Sequence, residues 1–525
     1  MTSAHNAQPD TNSVYSQAER ARPQLSPVGQ TGVHYEIFVR SFADSNGDGI
    51  GDLNGVTSNL DYLKSLGVSA IWLMPISPSP TSHKYDVTDY YGIDPEYGTL
   101  DDFKRLLAEA HQRGIAVIID LVIHHTSILH PWFKEASKGP DNPYWNYYKW
   151  LRPDEIRARK LATRDITADS DERNPWHAVR GAKYPERYYG MFWSGMPDLN
   201  FDHRPVREEV FKIVRYWLTE IGVDGFRLDA ARHLYRESEE PKNHEFWEEF
   251  GRVVETAKPG AFTIGEVWTR PQHIAPYFRG LKATFNMDFR LMIEEVVRRE
   301  DDTEDLIEFL DFVHKTFALV NPQFIDGLIL SNHDQNRIGS LLKGNLNHLK
   351  AAANLLLTLP GLPYLYYGEE IGMLGMKPDE NIREPFLWDI RANDRQRTRW
   401  RRGQYSTSRT IRPLAAQQTD PNSLFNHYKR LIQFRNSHLV LNDNLSRLEP
   451  TGIRQNGVVA FTRRSSRAGS DQRALVVHNL TGKPIEVVFS PDEDWCRQLV
   501  FSTTEGVSLA NGRLTLPGYS CAVLD

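Results

Sequence analysis

Between about residues 33 and 440, short apolar runs alternate with longer stretches whose apolar positions recur every three to four residues. The short runs fall at 33–39, 70–74, 115–122, 225–229, 262–266, 283–286, 327–330 and 364–367. Most are β-branched or aromatic with no polar alternation, as strands buried on both faces should be. Stretches such as 101–112 and 206–221 carry the helical period, and Gly114 and Gly222 follow them where a left-handed residue ends a helix. Eight such alternations predict an α/β fold, a (β/α)8 TIM barrel. A doubly wound open sheet would give the same periodicity. After the third strand, residues 126–204 break the pattern with Pro, Trp, Tyr and charge, which reads as an inserted small domain. Past residue 440 the period shortens to two, at 458–462, 474–478 and 485–489, separated by turn residues. The expected organisation is a polar, disordered tail over 1–30, a barrel over 31–125 and 205–440, an inserted domain B over 126–204, and a C-terminal antiparallel β-sandwich domain over 441–525.

Composition narrows the function. A chain of 525 residues exceeds one ordinary core, so two or three domains are expected. A net charge of only −6 argues against nucleic acid as a partner. No apolar run is long enough to span a membrane. The first 26 residues show no apolar leader core, which points to a cytoplasmic protein. Two cysteines, Cys496 and Cys521, exclude a disulfide framework; one bridge or two buried thiols remain. Twelve Trp and 22 Tyr suit sugar stacking, although aromatic cores give the same count. Oligomeric state is not legible.

Polar groups gather just after the strand-like runs, where a barrel builds its active face. In Phe226-Arg227-Leu228-Asp229, period two puts Arg227 and Asp229 on one side. A guanidinium there keeps the carboxylate ionised and able to attack an anomeric carbon, but a structural ion pair would read the same. Glu266, ending an apolar run beside Trp268, has the setting of a general acid with a raised pKa; a salt-bridged rim residue is the competing reading. His333 and Asp334 follow another run, where a carboxylate braces developing positive charge or simply caps a helix. His124 and His125 stand side by side; on a strand they would point to opposite faces, and no zinc-type spacing completes them.

In this order and at these positions, the Phe-Arg-x-Asp, Gly-Glu-Val and Asn-His-Asp segments resemble those of the α-amylase family, glycoside hydrolase family 13. The resemblance covers roughly residues 32–440. It implies Asp229 as nucleophile, Glu266 as general acid/base and Asp334 as transition-state stabiliser. It also implies that Arg227, His125 and His333 line the subsite of the reacting sugar, and that Tyr85 stacks on the sugar while Asp86 hydrogen-bonds it. Arg383, in Asn381-Ile382-Arg383-Glu384-Pro385, resembles a further sugar-contacting residue. The segment Met196-Pro197-Asp198-Leu199-Asn200 is similar to the branch between oligo-1,6-glucosidases and neopullulanases.

Calcium is the cofactor the resemblance implies. Asp44, Asn46, Asp48, Ile50 (through its carbonyl) and Asp52 place oxygen donors at alternate positions of a Gly-rich loop, much like the start of an EF-hand, although position twelve is Gly55 rather than Glu. A metal-free Asx-rich turn is the alternative. A second family calcium uses Asn where this chain has His124; imidazole suits a hard cation poorly, so that calcium is not expected. The run 395–402, with five arginines, reads as a solvated loop or an anion or glucan patch.

The implied substrate is starch or maltooligosaccharide, cleaved at α-1,4 bonds with retention by double displacement. An exo-acting α-glucosidase, or a glucosyltransferase or isomerase such as trehalose synthase, is the alternative. A non-catalytic binding protein on the same fold is the alternative of another class.

Overall fold

The structure is a computed structural model that describes residues 27–525 except 162–169, 171, 303–304, 390–393, 468, 490–494 and 497. The tail expected over 1–30 therefore falls mostly outside the described residues.

In chain order the strands are β1 (His34–Ile37), β2 (Ala70–Leu73), β3 (Ala116–Leu121), β4 (Trp150–Leu151), β5 (Trp176–Ala178), β6 (Arg187–Tyr189), β7 (Gly225–Leu228), β8 (Phe262–Gly265), β9 (Ala283–Asn286), β10 (Ile325–Ile329) and β11 (Leu362–Tyr366). Eight of them, β1-β2-β3-β7-β8-β9-β10-β11, form a closed barrel in which β11 pairs back to β1. Closure decides against the open sheet. Strands β4, β6 and β5 form a separate small antiparallel sheet in the insertion.

Period two sorts the barrel side chains. Trp72, Ile118, Ile264, Phe285, Ile329 and Tyr364 meet in the lumen. Their neighbours Ile71, Val117 and Leu328 join the layer beneath the helices. Helix Leu100–Gln112 starts with a Thr99–Asp102 capping box and buries Phe103, Leu106, Leu107 and Ala110. Gly222, at φ +95°, closes the helical turn Tyr216–Ile221 in a conformation that disfavours a side chain.

Beyond the barrel, β12 (Arg447–Pro450), β13 (Val458–Arg464), β14 (Arg473–Asn479), β15 (Ile485–Val488), β16 (Leu499–Ser502), β17 (Ser508–Ala510), β18 (Arg513–Leu516) and β19 (Cys521–Leu524) form two antiparallel sheets. One has five strands and the other three. Leu475 and Val477 of the first share a core with Leu514 and Leu516 of the second, so the sheets face one another as a sandwich. Cys496 and Cys521 are free, buried thiols. Among the described residues, no helix is long and apolar enough to cross a membrane.

Candidate active site

The lumen sequence dictates the site. In β7, period two carries the chain from Gly225 to Arg227 and then to Asp229 just past the strand end. In β8 the same period leads from Ile264 to Glu266. Arg227 is buried, with its guanidinium 5.3 Å from the centre of the Trp72 ring. Its Nη1 donates to Asp229 Oδ1 (2.7 Å) and Asp120 Oδ1 (2.9 Å), and its Nη2 donates to Glu266 Oε2 (2.7 Å). The Ala230 amide donates to the same Glu266 oxygen at 3.1 Å. One guanidinium thus holds both carboxylates.

A second cluster comes from the end of β10. His333 bridges Glu36 of β1 through Nδ1 (2.7 Å) and Asp334 through Nε2 (2.9 Å). Arg383 donates to Asp334 Oδ1 at 2.9 Å and to the His333 carbonyl at 2.9 Å. The Tyr85 hydroxyl joins the clusters: it donates to Asp120 Oδ2 at 3.0 Å and meets His333 Nε2, and the two rings are stacked.

The environments separate the three acids. Burial pushes Asp229 up to about 6, against the pull of Arg227. Burial also raises Glu266, opposed by Arg227 and assisted by the charges of Asp229 and Asp334. Burial works to raise Asp334 too, but His333 and Arg383 prevail and hold it well below the usual range. His333 is pushed up to about 10: burial opposes its charge, and Asp334 and Glu36 outweigh it. The site therefore holds a firmly ionised Asp334 beside two carboxyls with elevated proton affinity, the pattern that assigns acid and base roles in enzymes.

Above the acids opens a cavity of about 500 Å3. Asp229, Glu266, Asp334, Tyr85, His125 and Arg383 line it, whereas Arg227 and His333 lie beneath its wall. Asp86 is also buried below, its Oδ1 accepting from the hydroxyls of Ser79 and Thr81. The sequence did not single out Phe192, Trp193, Asp379 or Trp400, which also line the cavity. Nor did it single out Glu36 and Asp120 as braces; a charged residue inside a short buried strand was their visible signal. The arginine-rich run is not simply solvated, because Trp400 folds into the cleft and donates to Ser41 Oγ at 2.8 Å.

His124 and His125 depart from the expectation of opposite faces. Both lie past the end of β3, and their Nδ1 atoms are 3.0 Å apart. Among the described residues, no group of three or more His, Cys, Asp or Glu side chains converges as a metal site. In the 44–52 loop, Asp44 accepts amides from Asn46, Gly47 and Gly49, Asp48 accepts from Ile50, and Asp52 accepts from Ser45 and Gly55. Asp44 and Asp52 are buried, and no described cationic side chain pairs with them. The donors are all oxygens, the type a hard divalent cation takes, but their carboxylates are turned to the amides of the loop itself.

The catalytic-domain profile "Alpha amylase, catalytic domain" matches residues 36–444. The chain belongs to the α-amylase family. A second profile of that family, "Alpha-amylase SusG C-terminal domain", matches residues 458–523. Alpha-amylase 3 of Dictyoglomus thermophilum is 41% identical to this chain, covering 86% of it and 85% of the relative. The 4-alpha-glucanotransferase of Thermotoga maritima is 34% identical, over 87% and 97%. The crystal structure of an alpha-amylase from H. orenii superimposes with a TM-score of 0.84 at 39% identity, covering 94% of this chain and 99% of that one. The family assignment makes the chain a carbohydrate-active enzyme of the glycoside-hydrolase type.

Proposed function

We propose that this family member forms a covalent α-glucan–enzyme intermediate and passes the glycosyl group to a sugar hydroxyl as well as to water. The observation that carries the reading is the Arg227 guanidinium gripping Asp229 and Glu266 at the floor of one aromatic-walled cavity. Glu266, whose proton affinity burial raises, gives its proton to the departing glycosidic oxygen. As the C1–O bond breaks, the Asp229 carboxylate bonds to C1. Asp334, ionised, stabilises the positive charge that spreads over C1 and the ring oxygen. Glu266, now a base, takes the proton of the incoming hydroxyl as it displaces Asp229, so configuration is retained. Tyr85 stacks on the reacting ring, while His125, His333, Arg383 and Asp86 set its surroundings.

Transfer is favoured by the acceptor side. Trp268 stands two residues past Glu266, is 46% exposed and lines the cavity with Phe192 and Trp193. A flat apolar platform beside the acid holds a sugar acceptor better than loose water. The glucanotransferase relative supports this reading. Hydrolysis of internal α-1,4 bonds is the second reading, supported by Alpha-amylase 3. Met196, which lines the cavity, carries the proposed place between oligo-1,6-glucosidases and neopullulanases.

A timed digestion of maltoheptaose tests the reading. Transfer yields products longer than the substrate, internal cleavage yields mixed shorter oligomers, and exo-action yields glucose. Isomerisation preserves sugar count. Exclusively shorter products at high substrate would remove the transfer reading. For calcium, Asp44, Asn46, Asp48, the Ile50 carbonyl and Asp52 would hold the ion, whose charge would tie the loop together without entering the reaction.

A further inference from the structure

The two adjacent histidines contain a proton-counting problem. His125 Nε2 faces the Tyr85 carbonyl at 3.1 Å. His124 Nε2 faces the His233 carbonyl at 3.0 Å and Asp198 Oδ2 at 3.2 Å. The two Nδ1 atoms face each other at 3.0 Å. A carbonyl or carboxylate oxygen only accepts, so each outer gap needs a proton on the histidine nitrogen. The central gap needs a third. Two neutral imidazoles carry two protons in all, one too few. All three contacts are made only if one ring is an imidazolium.

The surroundings decide which ring. Asp198 is fully buried. Burial works against its charge, yet His124 and Lys149 hold its carboxyl below the usual range. Lys149 Nζ lies 3.8 Å from Asp198 and donates to the Leu234 carbonyl at 3.1 Å. His125 faces no carboxylate at either nitrogen, and burial together with the charge of His124 drives it down to about 3. Phe192 packs edge-on against both rings, at 5.4 and 5.5 Å, and shields them on that side.

We propose that His124 is an imidazolium, set beside Asp198 of the insertion and hydrogen-bonded to His125 of the active site, and that it fixes His125 as the neutral Nε2–H tautomer. The cation acts as a positioning group. His124 Nδ1–H occupies the lone pair of His125 Nδ1. His125 Nε2–H then holds the Tyr85 carbonyl, and Tyr85 stands in the cavity wall against His333 and Asp120. The backbone adds to the same clasp: the Leu199 amide donates to the His124 carbonyl (3.0 Å), and Thr126 donates to Pro197 (3.1 Å). The insertion thus reports its docking to the cavity through a protonated ring.

The proton count stands independently of the proposed reaction, whereas the positioning role rests on that reading. Neutron diffraction from deuterium-exchanged crystals of the full chain at neutral pH tests the count. The expected map shows deuterium on both nitrogens of His124 and on Nε2 alone of His125. Two deuterons in total, or two on His125, would overturn the inference. In solution, ring-15N histidine spectra should show, beside the doubly protonated His333 (identified by its loss in His333→Gln), a second doubly protonated histidine that disappears in both His124→Gln and Asp198→Asn; persistence of that second signal in both variants would refute the assignment. For the positioning role, Asp198→Asn should lower kcat/KM on maltoheptaose about tenfold or more, the worth of one hydrogen bond to a charged group. It should also abolish the single-tautomer signature of His125. Unchanged kcat/KM with an altered His125 spectrum would overturn the positioning role alone. A wild-type enzyme inactive on α-glucans but with the expected neutron map would refute the reaction proposed above and leave the imidazolium in place.

Discussion

Replacing Arg227 by Gln removes the one cation that touches both Asp229 and Glu266. Nη1 to Asp229 Oδ1 is 2.7 Å, which puts the charge centres about 4 Å apart. At an effective dielectric of about 20, a unit pair at about 4 Å is worth about 4 kcal/mol. At 1.36 kcal/mol per pH unit that corresponds to a rise of about three units in the Asp229 pKa. Water reaching the open cavity screens part of it, so a rise of about two units from the present value of about 6 is expected. At pH 7 the ionised fraction of Asp229 would then fall roughly tenfold. Loss of the charged hydrogen bonds that aim both carboxylates adds about 1.5–3 kcal/mol, another ten- to hundredfold. We therefore expect kcat/KM on maltoheptaose at pH 7 to drop about 10²–10³-fold, and the acid limb of the pH profile to move upward. A melting curve on the same sample checks that the fold survives. An acid limb that stays in place, with an equal loss at every pH, would refute the electrostatic argument and leave Arg227 a packing residue.

Four other outcomes follow from the same geometry. Asp229→Asn should abolish turnover while maltooligosaccharide binding persists by calorimetry; residual turnover at wild-type speed would remove the nucleophile assignment and reopen the binding-protein alternative. Glu266→Gln should cost about 10²–10⁴ in kcat on maltoheptaose but far less on an aryl maltoside whose leaving group needs no proton; equal losses on both would contradict a general acid. His333 has a folded pKa of about 10, above its ordinary 6.5, so its stabilising contribution is complete below pH 6.5 and fades as pH climbs towards 10. The melting-temperature gap between wild type and His333→Gln should accordingly narrow between pH 7 and 10. Chelation should lower the melting temperature and added Ca2+ restore it, by about 2.7 kcal/mol at a hundredfold excess over Kd, with no effect in an Asp44→Ala, Asp52→Ala double variant.

How much of this was legible depended on how local the signal was. Arg227, Asp229 and Glu266 each end an apolar run, and the two-residue strand period alone predicts that Arg227 and Asp229 share a face. The eight runs were readable because strands buried on both sides need continuous apolar sequence, whatever the sheet's global shape. His124 and His125 misled because the strand ends at Leu121; beyond it the backbone no longer alternates, so adjacent rings can meet. Asp86 was readable as a motif member, but not its setting, since Ser79 and Thr81 close over it from a preceding turn. Trp400 was hidden inside an arginine-rich run whose composition suggests solvent, while its ring docks across the barrel mouth. Two of these misses are local, a strand end and a tight turn whose backbone path the residue pattern does not encode; only Trp400 depends on distant chain segments that the fold brings together.

Closure itself can be argued from one contact. Glu36 sits on the first barrel strand, and His333 follows the seventh; 297 residues separate them. In an open sheet running from β1 through β2, β3, β7, β8 and β9 to β10, these strands are six neighbours apart. At about 4.8 Å per neighbour the separation is near 29 Å. In the closed sheet only β11 intervenes, and the carboxylate reaches His333 Nδ1 at 2.7 Å. Without that bond the His333 charge would rest mainly on Asp334, and Asp334 would lose part of the support that keeps it ionised against burial. The barrel therefore does more than place three acids at one mouth. By returning β1 beside β11 it adds the charge of Glu36 to that of Asp334 in keeping His333 protonated. The His333 cation in turn holds Asp334 in the state a stabiliser of positive charge requires.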